Sequence, residues 1–367
     1  MSSEKTKLDE MDRRLMQLLQ DEFPLDERPW EILAARLGIS AEEVLSRTKR
    51  LLKEGIVRKI FPLLNAYRLG TCDSTLIAMR VPPERMEEVA SIVNEYKTVT
   101  HNYEREHNFN LWFTITACGK GELQKAIEEI KRRTRIPDKD ILDLRTTRVF
   151  KIDVRFQFVS EGGELKISEA SPPFPNAFAE AVAEGARGLS AGMGEGEKGG
   201  GTKSSKPAEA VEMDEQEKRI LHALQDGIPA EERPFDAVAS RLGISTAELL
   251  ARLRSLIQKG IVKRFGASFD QRKIGIVANA VIAWKVPPER TVEVGVKLSQ
   301  FRGVTHCYER KTAPPQWEYN LFTVVHGYDR SSVEEYAKML AEAVGIKEYV
   351  VLFSSQQFKR ASIGAPH

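Results

Sequence analysis

The sequence has few cysteines. Only three occur in 367 residues, Cys72, Cys118 and Cys307, and no two of them have the C-x-x-C spacing typical of zinc knuckles. A disulfide framework or a cysteine-rich metal site is therefore not indicated. The ordinary expectation for these residues is three small buried thiols.

Long apolar runs and a strong charge of either sign are also missing. No stretch approaches the roughly 20 apolar residues of a membrane span, and the charged start lacks the apolar core of a signal peptide. The formal net charge is only +2, so charge alone does not favour nucleic acid as a partner. With 41% hydrophobic and 29% charged residues, we predict a globular, cytoplasmic protein that does not contact membranes.

The sequence contains an internal repeat. The sequence Arg-Leu-Gly-Ile-Ser at 36–40 recurs at 241–245, and Val-Pro-Pro-Glu-Arg at 81–85 recurs at 286–290. The offset is constant at 205 residues, since 245 − 40 and 286 − 81 give the same difference. Two homologous halves are therefore fused in tandem.

Each half opens with the pattern of a winged helix-turn-helix. Apolar residues at three-and-four spacing predict an amphipathic first helix, and a second helix is expected over about 29–37. Ser40 is placed to cap the third helix in a capping box with Glu43, and Gly55 is placed to end it before strand-like residues 56–61. The second copy carries the same three signals at Ser245, Glu248 and Gly260.

The rest of each half has the βαββαβ order of a ferredoxin-like domain. The elements expected in the first half are a strand at 74–81, a helix at about 84–95, two strands around His101 and Trp112, a helix at about 120–133 and a last strand near 145–158. Residues from about 160 to 212 hold ten of the 25 glycines and lack apolar periodicity, which indicates a flexible linker.

The predicted fold class is therefore α+β, with two tandem copies of a winged helix-turn-helix plus a ferredoxin-like βαββαβ domain. Because a four-stranded sheet of this kind leaves one face uncovered, we expect the two halves to form an internal pseudo-dimer. The expected divisions are 1–68 and 213–273 for the winged helix-turn-helix units, 69–160 and 274–367 for the ferredoxin-like domains, and 161–212 for the linker.

Three chemically distinct side chains share one strand in each half. His101, Tyr103 and Arg105 occupy alternate positions, so on a β-strand all three project from the same face. The second copy repeats them as His306, Tyr308 and Arg310. An imidazole, a phenol and a guanidinium would thus share one wall of a pocket.

The domain order resembles that of the leucine-responsive (Lrp/AsnC) regulators, but the specific motifs resemble siroheme decarboxylase. His-Asn-Tyr-Glu-Arg at 101–105 and Phe-Asn-Leu-Trp-Phe at 109–113 are similar to one of its two subunit types. The second half is similar to the other type at 263–267, 306–310 and 317–327. The chain therefore looks like both subunits fused into one.

This resemblance implies an activity and a substrate. The family removes carbon dioxide from the C12 and C18 acetate side chains of siroheme to give 12,18-didecarboxysiroheme, in heme d1 or alternative heme biosynthesis. It implies no cofactor beyond the iron of the substrate and no metal site of the chain's own. The expected partners are siroheme and other heme-biosynthesis enzymes, without sequence-specific DNA, and a further homodimer is compatible with this.

The residues expected to carry out the reaction follow from that chemistry. A histidine titrates near pH ~6.5 and suits proton donation or iron ligation, although a lone strand histidine is more often structural. The expected catalytic residues are His101, His306, Tyr103 and Tyr308. Arginine forks pair with carboxylates, and the expected substrate-binding residues are Arg58, Lys59, Arg105, His107, Lys263, Arg264, Arg310, Trp317, Tyr319, Asn320 and His326.

Some of these assignments have a plain structural alternative. Lys and Arg on a wing strand also protect a sheet edge, and aromatic residues on strands also form the sheet's own core. The halves are not equivalent either, because Thr116 replaces His326 in the first half and His107 has no counterpart in the second.

Two other functions use the same sequence features. A transcription regulator would place recognition helices at 41–54 and 246–259 in DNA, but acidic segments near 21–27 and 226–232 would face phosphates unfavourably. A non-catalytic heme sensor would use the same histidines, and only turnover separates it from an enzyme.

Overall fold

We describe the protein from a computed structural model, over residues 8–65, 73–117, 121–156, 158 and 213–360. The expected linker at 161–212 lies outside the described residues, as do Cys72 and Cys118.

The first helical unit has the ends that its sequence predicts. Its elements are α1 (Glu10–Asp21), α2 (Pro29–Leu37), α3 (Ala41–Lys53) and β1 (Val57–Leu64). Gly38 ends α2 in the left-handed region, with φ of 72°. The Ser40 hydroxyl accepts a hydrogen bond from the Glu43 N–H at 3.1 Å, which confirms the N-cap. The Glu43 carboxylate accepts from Arg47 at 2.9 Å, in place of the second bond of a capping box.

The second helical unit repeats the first. Its elements are α6 (Glu215–Ala223), α7 (Pro234–Leu242), α8 (Thr246–Gln258) and β6 (Val262–Phe269). Gly243 ends α7 with φ of 69°, and Ser245 caps α8 through the Glu248 N–H at 3.1 Å.

The two units are joined by their strands. β1 and β6 pair antiparallel, with Ile60 opposite Ala267, so each expected wing strand pairs with the other half. Gly266 permits β6 to pack closely against α1 of the other half, because a Cβ there would lie 2.4 Å from the Gln20 carbonyl oxygen. One continuous apolar core then runs through both units.

Each half continues into a βαββαβ domain, as predicted. The first consists of β2 (Asp73–Met79), α4 (Met86–Asn94), β3 (Val99–Arg105), β4 (Leu111–Ala117), α5 (Glu122–Thr134) and β5 (Ile141–Ile152). The second consists of β7 (Ala278–Trp284), α9 (Thr291–Gln300), β8 (Val304–Arg310), β9 (Leu321–Gly327), α10 (Arg330–Val344) and β10 (Tyr349–Arg360). The strand orders β3-β4-β2-β5 and β8-β9-β7-β10 are those of ferredoxin-like sheets.

The two sheets close into one barrel. β5 pairs with β2 along its first part and with β8 along its second, and β10 does the same with β7 and β3. The barrel order is β10-β3-β4-β2-β5-β8-β9-β7. The internal pseudo-dimer is thereby confirmed, with the sheets joined along their edges as well as facing each other.

β5 lies earlier in the chain than the sequence pattern indicated. The last strand was expected near 145–158, but β5 covers Ile141–Ile152. Its start is set by pairing with β2, where Ile141 lies opposite Met79. Its second part is needed to reach β8, a contact between halves that no local pattern encodes.

Apolar residues fill three layers around the sheets. The outer faces pack under the helices of each half in two separate cores. The barrel interior holds a third cluster drawn from both halves: Ala78, Phe109, Trp112, Leu142, Leu144, Val281, Ala283, Trp317, Phe322 and Leu352. No helix in the described part of the chain is long and apolar enough to cross a membrane.

Each of the two candidate recognition helices has an arginine that is paired within the protein. Arg47 of α3 forms an ion pair with the buried Asp12 at 2.9 Å, and Arg252 of α8 forms one with Asp214 at 3.0 Å. Such pairs reduce the positive potential that α3 and α8 could offer to phosphates.

The acidic segment of the first half lies beside α8. Arg254 donates a hydrogen bond to the Leu25 carbonyl at 2.5 Å. A cavity of about 350 Å³ between these parts is lined by Asp26, Glu27, Arg28, Ala247, Leu250 and Arg254. A duplex approaching α8 would therefore meet carboxylates.

We expect the protein to bind DNA only weakly and without sequence preference. A promoter fragment and a random duplex should both bind with dissociation constants weaker than about 1 µM at physiological salt, as measured by fluorescence anisotropy. Nanomolar binding to one sequence would contradict this and favour a regulator.

Candidate active site

A row of three side chains on β3 faces the barrel interior. Asn102 points the other way, because its Nδ2 donates to Asn94 Oδ1 of α4 at 3.0 Å. Since side chains alternate along a strand, His101, Tyr103 and Arg105 lie on the interior face.

β8 repeats this row in the second half. Cys307 is fully buried and its Sγ lies 3.6 Å from the Gly295 carbonyl of α9, so His306, Tyr308 and Arg310 face the interior. Burial raises the pKa of the Cys307 thiol, which therefore stays protonated and unreactive. The prediction of a small buried thiol is confirmed at this position.

The histidine and tyrosine of each row are stacked. The ring centroids of His101 and Tyr103 are 6.3 Å apart with planes at 21°, and those of His306 and Tyr308 are 5.9 Å apart with planes at 29°. The two rows therefore have a similar local geometry.

The arginine of each row reaches across to the other half. Arg105 Nη1 donates to the Leu352 carbonyl at 2.7 Å. Arg310 Nη1 donates to the Leu144 carbonyl at 3.2 Å and to Thr146 Oγ1 at 2.9 Å. Both arginines are only 6% exposed, so these bonds connect the halves inside the barrel.

Arg105 is a buried cation without an acidic partner among the described residues. Its guanidinium lies 5.3 Å from the Tyr103 ring, and its Nε has no hydrogen-bond partner in the described part of the chain. Burial lowers the pKa of Arg105 to about 10, so it is still charged at neutral pH. A buried charge of this kind is unfavourable until an anion meets it, and a carboxylate is the anion that best fits a guanidinium.

The hydrogen bonds around His306 favour a proton on one of its two ring nitrogens. Thr305 Oγ1 donates its single proton to the Val324 carbonyl at 3.2 Å. Its 3.0 Å contact with His306 Nδ1 must then have the ring nitrogen as donor. This network assigns the proton of the neutral ring to Nδ1 and leaves Nε2 to accept or, once protonated, to donate. His101 has the same 3.0 Å contact with Thr100.

The centre of the barrel is filled by aromatic rings. Trp317 lies 5.2 Å from Trp112 and 5.6 Å from His107, both edge-on. His107 Nδ1 accepts from the Phe109 N–H at 3.1 Å, and burial is the main cause that lowers its pKa. His107 is therefore neutral at pH 7, which weakens the expectation that it binds a carboxylate by charge.

Trp317, which was expected to bind the substrate, packs into the apolar cluster of the barrel interior. Trp317 is 2% exposed and its Nε1 donates to the Tyr319 carbonyl at 3.0 Å. The loop between β8 and β9 is five residues longer than its equivalent between β3 and β4, and we call it the inserted loop. A bridge between Ala313 and Trp317 turns this loop inward, so the indole belongs to the barrel core. Tyr319 is half-buried beside it, with ring centroids 5.0 Å apart. Substrate contact by either ring stays a prediction.

One end of the barrel in the second half lies against the helical units. Ile152 is the cross-strand partner of His306, and its carbonyl accepts from Lys263 Nζ at 2.7 Å. Lys263 is exposed as a whole, but the packing around its ammonium lowers the pKa to about 8. At the same end, the Phe156 ring lies 6.1 Å from His326, edge-on. The structure thus brings three of the expected site residues of the second half to one place.

Lys59 and Arg264 occupy equivalent positions and stabilise helix ends. Lys59 Nζ donates to the Gln225 carbonyl at 2.5 Å, and Arg264 Nη1 donates to the equivalent Gln20 carbonyl of the other half. Cations placed at the carboxyl ends of helices are favourable there. These contacts favour a structural role, and substrate binding by Lys59 or Arg264 stays a prediction.

Arg58 and Asn320 also have local partners. Arg58 forms an exposed ion pair with Asp270 at 3.1 Å. The Asn320 amide accepts from the Val286 N–H and donates to the Val286 carbonyl, both at 2.9 Å. Asn110 holds the equivalent backbone in the first half, so this bond pair serves the sheet. Nothing in these contacts requires a substrate.

The sequence pattern gave no role to the threonines beside the histidines or to Phe156. Thr100 and Thr305 are buried and belong to the opposite face of their strands, yet their hydroxyls reach the ring of the next residue. Their occurrence in both copies of Val-Thr-His was the available signal. Phe156 had no such signal, because its contact with His326 depends on where β5 ends.

A second cavity lies away from both rows. It has a volume of about 520 Å³ and is lined by residues at the end of β7, in the inserted loop and after α10, including Arg290, Glu318 and Asn320. It is wide and charged at its surface, and it contacts neither histidine row. We therefore place the candidate site by the side-chain chemistry of the barrel interior. Among the described residues, no group of three or more His, Cys, Asp or Glu side chains could hold a metal ion.

Two family models match the chain. The AsnC-like ligand binding domain matches residues 68–151 and 273–359, and the siroheme decarboxylase NirDL-like HTH domain matches 12–58 and 217–262. A siroheme decarboxylase of Hydrogenobacter thermophilus is 33% identical over 355 residues, which are 95% of this chain and 93% of that protein. The chain belongs to the siroheme decarboxylase family.

Of two further relatives in this family, one matches nearly the whole chain and the other matches one half of it. A crystal structure of the siroheme decarboxylase NirDL in co-complex with an iron-uroporphyrin III analogue is 30% identical, with a TM-score of 0.63, and covers 97% of this chain and 94% of that one. The siroheme decarboxylase beta subunit of Methanosarcina barkeri is 44% identical over 151 residues, 41% of this chain and 99% of that subunit. One half of this chain therefore corresponds to a complete separate subunit.

We expect Arg105→Met to leave the stability of the free protein nearly unchanged. The substitution leaves the Leu352 carbonyl without this donor, but it also removes a buried charge that has no acidic partner among the described residues. Because the two effects offset each other, the free energy of unfolding should change by less than ~1 kcal/mol. Arg264→Met is the matched control and should lose ~2–4 kcal/mol, because the buried carbonyls of Gln20 and Val154 lose their donor. Urea unfolding measures both, and a larger loss for Arg105→Met would show that Arg105 serves stability.

Proposed function

We propose that this chain is a carboxy-lyase that removes carbon dioxide from the C12 and C18 acetate side chains of siroheme, giving 12,18-didecarboxysiroheme. The iron of the substrate is the only metal the reaction requires in this proposal, and the reaction takes place in the cytoplasm. The family to which the chain belongs supports the reaction, and the barrel interior supports the kind of substrate.

The observation that carries this proposal is the burial of Arg105 in the same interior row as His101 and Tyr103. Siroheme has carboxylates around its whole edge, and a carboxylate is the missing partner of a guanidinium that has no acidic neighbour among the described residues. Arg310 occupies the equivalent position in the second row, again in line with a histidine and a tyrosine. A polycarboxylate with a flat ring fits such rows better than an amino acid would.

The reaction needs little from the protein beyond binding and a proton. The bond between the acetate methylene and its carboxylate breaks, carbon dioxide leaves, and the electron pair is taken up by the conjugated macrocycle. A proton then adds to the methylene carbon, which becomes a methyl group. Each acetate thus consumes one proton and needs no oxidant or reductant.

His306 is the best-organised proton donor in the described part of the chain. Its Nδ1–H is held by Thr305, so a protonated ring presents Nε2–H to the barrel interior. Tyr308 stacks on this ring and limits its rotation. A direct proton transfer from Tyr103 or Tyr308, and a role for His101 in the other row, remain part of the proposal.

The binding residues act before the bond breaks. Arg105 and Arg310 are fixed to carbonyls of the opposite half, so they hold a carboxylate without having to reorder. Lys263 adds a cation at the second-half end of the barrel. As pH rises through about 8, Lys263 loses this charge and anion binding at that end should weaken.

The direct test is anaerobic incubation of the purified protein with siroheme. We expect a product lighter by two molecules of carbon dioxide, identified by mass spectrometry. If the protein binds siroheme but the mass of the siroheme stays unchanged over hours, the protein is a heme sensor instead. No binding at all would overturn the assignment of the substrate.

We expect His306→Ala to lower the saturated rate more than His101→Ala. Loss of a positioned proton donor typically reduces a rate ~10²–10⁴-fold, while loss of a carboxylate anchor in Arg310→Ala should mainly raise the siroheme concentration required. Full activity and an unchanged absorption spectrum of bound siroheme in His306→Ala would exclude His306 as both proton donor and iron ligand.

Variants of Thr305 test whether the rate depends on the hydrogen bond that positions the His306 ring. Thr305→Val keeps the shape and removes the oxygen that accepts from Nδ1, so kcat should fall while the affinity for siroheme is retained. Thr305→Ser keeps that oxygen and should restore kcat. Equal rates for the Val and Ser variants would count against the assigned tautomer.

A further inference from the structure

Asn279 and His326 are cross-strand neighbours on the interior face of the second half. They lie directly opposite each other on β7 and β9. Two residues further along each strand, Val281 and Val324 belong to the interior apolar cluster or pack against it. Because side chains alternate, Asn279 and His326 point to the same interior.

Asn279 carries a buried polar atom that the rest of the described chain does not satisfy. Its Oδ1 is inaccessible to solvent and has no hydrogen-bond partner among the described residues. Leaving a buried amide unpaired is unfavourable, and most such groups in proteins are paired. An unpaired amide that faces a proposed substrate site is therefore a candidate binding group.

In the first half, the equivalent cross-strand pair consists of two small residues with hydroxyl groups. Ser74 and Thr116 are equivalent to Asn279 and His326: 279 − 74 is 205, and 326 − 116 is 210 because of the five-residue insertion between them. Ser74 and Thr116 are also cross-strand partners, and the Thr116 hydroxyl donates to Ser74 Oγ at 3.4 Å. The small hydroxyl pair satisfies itself, whereas the second half has a larger pair in which Asn279 Oδ1 has no hydrogen-bond partner among the described residues.

The surroundings of Asn279 and His326 suit an anionic side chain on a flat ring. His306 pairs with Val324 on the adjacent strand, two residues from His326. The Phe156 ring lies against His326. Lys263 supplies a cation through Ile152, the other strand partner of His306.

We propose that the Asn279 amide binds one acetate carboxyl group of the tetrapyrrole and so selects acetate-bearing substrates in the second half. This inference rests on the proposed function. The amide donates from Nδ2 to a carboxylate, or accepts at Oδ1 from a protonated carboxyl, since rotation of the amide exchanges the two atoms. The His326 imidazole beside it completes a two-point contact.

The test compares two non-reacting probes that differ only in the acetates. Iron-uroporphyrin III carries acetates and propionates, whereas iron-coproporphyrin III has methyl groups in place of the acetates. Asn279→Ser, which copies the first half, should weaken binding of the uroporphyrin about tenfold and leave that of the coproporphyrin within about twofold. Quenching of tryptophan fluorescence in the full chain measures both affinities.

Two further variants make the result decisive. Asn279→Asp keeps the shape of the side chain and adds a negative charge, so it should weaken uroporphyrin binding at least as much as Asn279→Ser. It replaces Asn279→Ser in the test if that variant does not fold. Ser74→Ala is the matched control in the first half and should change neither affinity. Equal losses for both probes, or no loss for either, would overturn the inference.

The outcome is independent of turnover. If the wild-type chain discriminates between the probes through Asn279 but releases no carbon dioxide from siroheme, the proposed reaction fails and the binding residue stands. If siroheme is decarboxylated and Asn279→Ser leaves both affinities unchanged, the reaction stands and this inference fails.

Discussion

The structure depends on two strands that belong to both halves. β5 and β10 each run for 12 residues, and each completes its own sheet before it pairs with the opposite one. Without these extensions, two ferredoxin-like sheets would expose edges and an apolar face each. The same extensions supply the Leu352 and Leu144 carbonyls to which Arg105 and Arg310 are bonded. Closure of the barrel therefore also sets the positions of Arg105 and Arg310. A single half could not form either row as it is seen here.

The sequence was sufficient wherever a local rule decides the structure. The constant offset of 205 residues revealed two copies, Gly38 and Ser40 marked helix ends that the backbone obeys, and alternation placed His101, Tyr103 and Arg105 on one face. These signals depend on neighbours within a turn of helix or on the period of a strand. Long motifs shared with siroheme decarboxylase then identified the family, which the full-length relatives confirm.

Residues whose contacts cross between the halves could not be assigned from sequence. Lys59 and Arg264 look like free wing cations in the chain, but each stabilises a helix end of the other half. Trp317 was expected to bind the substrate, and the bridge to Ala313 turns it into the barrel. The position of Phe156 beside His326 depends on where β5 leaves β8. In each case the deciding partner is more than a hundred residues away or lies in a loop whose direction only the folded chain defines.

Duplication also explains how one barrel can hold two unequal ends. Both halves need the same strands to close the barrel, so the rows containing His101 and His306 are retained in each. The neighbouring interior positions do not contribute to closure and can diverge. In the first half Ser74 and Thr116 bond to each other. In the second, Asn279 lies opposite His326, and its Oδ1 has no hydrogen-bond partner in the part of the chain that the structure describes. The Thr305 hydroxyl likewise has a carbonyl partner that fixes the proton on His306. The pseudo-symmetric scaffold thus carries different interior side chains at its two ends. In the proposed reaction, the first half mainly brings Arg105 and the β5 edge to the second.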